Sequence, residues 1–181
     1  MKKKKIVTIT VALIISIIFI IRVVYVNVKY NDIMPHKIVY KYGEQCTYKD
    51  VVYQVKDWKV YDSEDEAREY IGEGVYDRYE GESKVVIVAV DVTYIGDADT
   101  YKLSLSNKHI QSGGWTNGII RTARFSSDRE LVKGETKTIY LYVNVSNTVS
   151  AISPSEFSRI DKRKFEFVLS TYPDIIIMEC Q

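Results

Sequence analysis

Lys84-Val-Val-Ile-Val-Ala-Val-Asp-Val-Thr-Tyr94 places Val86, Val88, Val90, Val92 and Tyr94 on one face of an extended chain. Val85, Ile87, Ala89, Asp91 and Thr93 take the other, apolar at first and polar towards the end. A strict period of two in β-branched residues predicts a long strand with one face in a core. At the usual rise it runs about 36 Å, enough to cross a whole sandwich.

The chain on either side fits strands that pack on this one. Cys46–Tyr48, a Lys49-Asp50 turn and Val51, Tyr53, Val55 predict a hairpin, and Trp58 and Val60 then fall out of phase with Val55, as a bulge at Lys56-Asp57 would cause. Ser63-Glu-Asp-Glu66 matches a capping box for a two-turn helix over Glu64–Ile71. After the central strand, a Gly96-Asp97 turn leads to Tyr101, Leu103 and Leu105, the expected hairpin partner. Ile119–Phe125 reads as a further strand. Leu131-Val-Lys-Gly-Glu-Thr136 turns into Ile139, Leu141, Val143 and Val145, with Tyr140, Tyr142 and Asn144 facing out. Ser153-Pro-Ser-Glu156 is a second capping box with proline at the first helical position. Phe165, Phe167 and Leu169 alternate, and Tyr172-Pro-Asp174 feeds a last strand over Ile175–Glu179. Short strands between turn signals, with little helix, predict an antiparallel β-sandwich.

Ahead of it, Ile6–Ile21 carries no charge, and Val23–Val28 prolongs the apolar run past Arg22. That length spans a hydrocarbon core of about 30 Å. Lys2–Lys5 place the N-terminus in the cytoplasm and the rest outside. No A-x-A-like cleavage pattern follows the apolar run, so an uncleaved single-pass anchor is expected rather than a signal peptide. The expected organisation is a cytoplasmic stub and anchor over 1–28, a stalk over 29–42 and a domain over 43–181. That domain carries an acidic insert at 62–82, where nine acids face only Arg68 and Arg78.

The order of these features resembles the Ig-like (telokin-like) extracytoplasmic domains of unknown function common in Gram-positive bacteria. The likeness rests on an anchor followed by a strand pair and an acidic insert. It extends to Val92-Thr-Tyr-Ile-Gly96, to Leu131-Val-Lys-Gly-Glu135 ahead of Tyr140-Leu-Tyr142, and to a closing Tyr172-Pro173 hairpin. It covers roughly Gly43–Gln181 and implies an Ig-like sandwich and surface exposure. It supplies no catalytic residue.

Charge narrows the partners. Residues 29–181 hold 20 of the 25 basic side chains and all 24 acidic ones, so the domain is mildly acidic with no basic stripe, and nucleic acid is not an expected partner. His36 and His109 are the only histidines, and no C-x-x-C or H-x-x-x-H spacing exists, so neither a metal site nor a cofactor is expected. The 62–82 acids lack the ordering of a calcium loop and read as a solvated face. No nucleophile elbow or phosphate loop is present, although a triad through His109 would be assembled in space and is left open. Cys46 and Cys180 could pair in an oxidising compartment or remain buried thiols.

A binding loop is expected at Gln111–Gly118, where three glycines surround Trp115 and Asn117. Trp115 is either an exposed contact or a plug over one end of the core. The function expected is therefore a non-enzymatic, membrane-anchored extracytoplasmic module that binds a protein or other cell-envelope component or assists a membrane complex. An envelope hydrolase and a spacer or sensor ectodomain are the alternatives.

Overall fold

The computed structural model describes residues 2–31, 34–71, 82–117, 121–123, 129–147 and 152–181. It divides into two units, Met1–His36 and Lys37–Gln181. The first is the helix α1 (Lys2–Asn31). Its Thr10–Tyr30 stretch, with a mean hydropathy of 2.6, is long and apolar enough to cross a membrane.

The second unit is a β-sandwich. One sheet has the order β2 (Gln45–Tyr48), β3 (Val51–Tyr61), β4 (Ser83–Tyr94), β10 (Thr136–Ser146), β8 (Arg121–Ala123). The facing sheet runs β1 (Lys37–Tyr40), β12 (Ile175–Glu179), β11 (Glu166–Ser170), β6 (His109–Ser112), β7 (Trp115–Asn117). A small ladder of β5 (Thr100–Lys102) with β9 (Glu130–Val132) closes one side.

β4 is the strand the sequence singles out, and both its faces are covered. Val86, Val88, Val90, Val92 and Tyr94 enter the main core with Ile139, Leu141, Val143 and Val145 of β10 and Phe165, Phe167 and Leu169 around β11. Val85 and Ile87 enter a second cluster with Tyr61, Tyr142 and the helix α2 (Glu64–Ile71), which supplies Ala67 and Ile71. The helix begins as its capping box predicts, with Ser63 Oγ accepting from the Glu66 amide at 3.2 Å. It covers only the start of the strand. Asp91 and Thr93 therefore emerge beyond it, where Thr138 donates to Asp91 and the Thr93 and Thr136 hydroxyls meet at 2.7 Å.

The bulge falls where expected. Val55 pairs with Val90 and Asp57 with Ala89, so Lys56 is the extra residue, and Trp58 opposite Val88 and Val60 opposite Val86 return to the main core. Lys49 and Asp50 make the preceding turn at φ 49° and 58°. Two residues in the left-handed region match the type I′ turn, whose twist suits a two-residue hairpin.

Three expectations are corrected. β4 does not pair with the Tyr101–Leu105 segment; β3 and β10, each eleven residues long, occupy its two edges, and β5 pairs with β9 instead. Tyr142 does not face out, because α2 lies over it, and it is 1% exposed. The sheet also begins before Gly43: β1 pairs with β12 in parallel, Lys37 opposite Ile175 and Tyr40 opposite Met178, whereas the other ladders between the described strands are antiparallel. Of the strand expected at Ile119–Phe125, Arg121–Ala123 pairs with β10, and the remainder lies outside the described residues. Most of the acidic 62–82 segment beyond Ile71 lies outside them too.

Candidate functional site

Three connections meet at one end of the sandwich: the β2–β3 turn, the 103–108 segment ahead of β6, and the turn between β11 and β12. Between them is a pocket of about 360 Å³. Such a volume lies within the small-molecule range, at its lower end. Two lysines line it, Lys49 from the first connection and Lys108 from the second. The third contributes Ser170, Thr171 and Tyr172. Among the described residues no acidic side chain is part of the lining.

Lys108 is the unusual member. It is 7% exposed, and among the described residues its ammonium makes neither a hydrogen bond nor an ion pair. Its stabilising neighbour among the described residues is the Tyr48 ring, whose centroid lies 5.8 Å from Nζ; Lys49 Nζ lies 5.3 Å from the same ring. Both distances are within the range of a cation–π contact, which offsets only part of a cation's desolvation. Burial, with the like charge of Lys49 adding to it, holds the Lys108 ammonium below its ordinary range.

The backbone around the pocket is constrained as well. Lys49, Asp50 and Asn107 are the three non-glycine residues with positive φ among the described residues, and all lie in its connections. Such conformations cost free energy and persist where the surroundings enforce them. Tyr48 donates to Ser170 Oγ at 3.4 Å, and Ser170 donates to the Tyr172 carbonyl at 3.1 Å, tying the first connection to the third. Tyr53, buried beneath the pocket, has its phenol pushed up by desolvation, so it stays a neutral hydroxyl.

Among known proteins, no family model matches the chain, and no curated protein matches it. Two solved structures are similar. One is an uncharacterised β-sandwich protein from Clostridium difficile, 10% identical, aligned over 81% of this chain and 95% of that one with a TM-score of 0.45. The other is MPT63, a secreted protein from Mycobacterium tuberculosis, 16% identical over 80% of this chain and 98% of that one, also at 0.45.

The residues singled out in the sequence lie elsewhere. Gln111–Gly118 is not an open loop over the part described. β6 and β7 form a tight hairpin through Gly113-Gly114, with φ +58° at Gly113 alone, as in a type II′ turn. Trp115 is half-buried and sets its ring edge-on to Phe165, with centroids 6.5 Å apart, which is the plug arrangement. Asn117 pairs with Ile110 through the backbone. Gln111 pairs with Glu166, at the start of β11, whereas the pocket lies past Ser170 at its other end. The hairpin and the pocket are thus at opposite ends of the sheet.

Cys46 and Cys180 are free thiols, so the pairing the sequence permits is not made. Cys46, on β2, is pushed up by burial, opposed by a hydrogen bond that the Tyr40 hydroxyl donates to its sulfur. Cys180 follows β12 in the other sheet, and burial pushes it up to about 12. Both belong to the main core between the sheets.

His109 sits on β6, and among the described residues no hydroxyl is hydrogen-bonded to it. No group of three or more His, Cys, Asp or Glu side chains is placed to hold a metal, again among the described residues.

The pocket was out of reach of sequence reading. Its cations stand 59 positions apart in otherwise ordinary turns, and only the sheet order brings them together. One cue existed. A Lys-Asp pair in a two-residue hairpin turn is an unusual choice where Asn-Gly is the relaxed one.

Proposed function

We propose that the chain is a membrane-anchored, non-enzymatic binding module displayed outside the cytoplasm, and that its ligand enters the pocket between Lys49 and Lys108. The observation that carries this reading is Lys108 itself. A largely buried cation is costly unless paired, and among the described residues the pocket offers it a ring and a second cation but no carboxylate. The missing countercharge is supplied by a ligand. Within the sandwich class, the Ig-like assignment rests on the resemblance and on two facing sheets whose connections gather at the ends, where binding loops form. The anchor rests on the length and hydropathy of Thr10–Tyr30, and its orientation on Lys2–Lys5.

The test uses the full chain in its membrane. Protease added to intact cells should digest the sandwich while α1 stays in the membrane fraction, and a soluble, N-terminally trimmed form in the medium would mean a cleaved signal. Solubilised protein should capture envelope material. Ser106→Trp, a substitution at an exposed lining residue that fills the pocket, should abolish that capture with little change in melting temperature. Capture that survives Ser106→Trp would place the binding surface elsewhere.

A further inference from the structure

The pocket's chemistry goes beyond "a ligand" to a class. We infer that it takes a phosphate ester of a polyol or sugar, with the phosphate between Lys49 and Lys108. This deepens the proposed function and rests on the pocket being the ligand site.

Three observations carry it. Among the described residues both cations are lysines, and no arginine lines the pocket. An ammonium is a point charge that serves as a common partner of phosphate oxygens, and two of them side by side suit a group carrying more than one negative charge. The second observation is the rest of the polar lining: Ser104, Ser106, Asn107 and Thr171 offer neutral donors and acceptors, the complement of a ligand carrying several hydroxyls. The third is shape. Rings of Tyr48, Tyr53, Tyr101 and Tyr172 line a space of about 360 Å³, which admits one small polar unit with its C–H faces against aromatic carbon.

The turn carrying Tyr172 leads directly into β12, whose first residue, Ile175, pairs with Lys37 at the start of β1. The pocket therefore opens at the end of the sandwich where β1 begins. A polyol phosphate at that end has two sources, a lipid headgroup and a soluble or polymer-borne ester, and the test separates them.

Full-length protein in neutral detergent is titrated with glycerol 1-phosphate, inorganic phosphate, glycerol and glucuronate while its melting temperature is followed. Glycerol 1-phosphate should raise the melting temperature, and inorganic phosphate should do so more weakly. Glycerol and glucuronate should have no effect at equal concentration. Lys108→Met should weaken glycerol 1-phosphate binding at least tenfold. It should also raise the melting temperature of the ligand-free protein, because it removes a desolvated charge, an outcome that a merely structural lysine would not give. Lys49→Met should weaken binding several-fold with stability unchanged.

Protein in phosphatidylcholine nanodiscs with and without phosphatidylglycerol then assigns the source. Glycerol 1-phosphate binding that weakens when phosphatidylglycerol is present identifies the headgroup as ligand, and unchanged binding identifies the soluble ester. A response to glycerol or glucuronate equal to that of glycerol 1-phosphate would overturn the inference, as would no response at all or a response that survives Lys108→Met. If Ser106→Trp still abolishes envelope capture in that case, the pocket remains the binding site and only the ligand class falls.

Discussion

Trp115 sets its ring edge-on to Phe165, and Trp58 stacks at a tilt on the same Phe165 with centroids 5.4 Å apart. Phe165 is 1% exposed, so the two tryptophans close the core around it. Trp115→Ala should therefore lower stability by about 2 kcal/mol, less than a fully buried tryptophan because part of the side chain is already in water. Denaturant melts would show it. The same variant should leave envelope capture unchanged, since the pocket lies at the other end of the sheet. A loss of capture without a loss of stability would reverse that assignment and make Trp115 the contact.

The elements show where tolerance lies. In β3, Lys56 has no partner in the ladder, while its neighbours Val55 and Asp57 pair with consecutive residues of β4. Deleting Lys56 would leave a regular ladder with Trp58 and Val60 still facing inward. The cost should be about 1 kcal/mol, from the lost Lys56–Asp91 ion pair at 3.7 Å and the Tyr42 hydroxyl that donates to the Lys56 carbonyl. Deleting Tyr140 from β10, which pairs with β4 without a break, should turn half of that strand inside out and prevent folding. Thermal melts of the two deletions should differ that sharply. Much of this level was legible in the sequence. The phase slip between Val55 and Trp58 marked the bulge, and both capping boxes marked their helices, the second with the Ser153 side chain accepting from Glu156 N. What could not be read was the neighbour of each strand. Alternation says which face of β4 is apolar, but two apolar faces at Val85–Val90 fit a strand between two layers as well as a strand over one. Only α2 settled on Ile87 tells them apart.

At the scale of the whole molecule, the buried acids of the alkaline range set a pH limit. Cys180 rises from 9.0 to about 12 on folding, and Tyr53 and Cys46 also rise, all chiefly through burial. Below pH 9 both states keep the Cys180 proton, and its burial has no pH dependence. Above that, the unfolded chain releases the proton and the folded one does not, so stability falls as pH climbs from 9 towards 12. Denaturant midpoints across that range should decline, and Cys180→Ala should flatten part of the slope. The thiols give a second measure of the same closure. Alkylation without reductant should add no label to the native protein and two labels in denaturant. A single mass with no label in denaturant would mean the pair is bonded after all.

The seam between β1 and β12 also orders events in time. Lys41 meets Glu179 at 3.2 Å across a separation of 138 residues, and the pairing from Lys37 to Tyr40 bridges a similar span. The first strand to leave the ribosome thus waits for the last one. Until Ile175–Met178 are synthesised, β1 has no partner, and the side that β12 later covers is open to any other strand. A message truncated anywhere between the two would yield a product that keeps its N-terminal helix but never closes this seam.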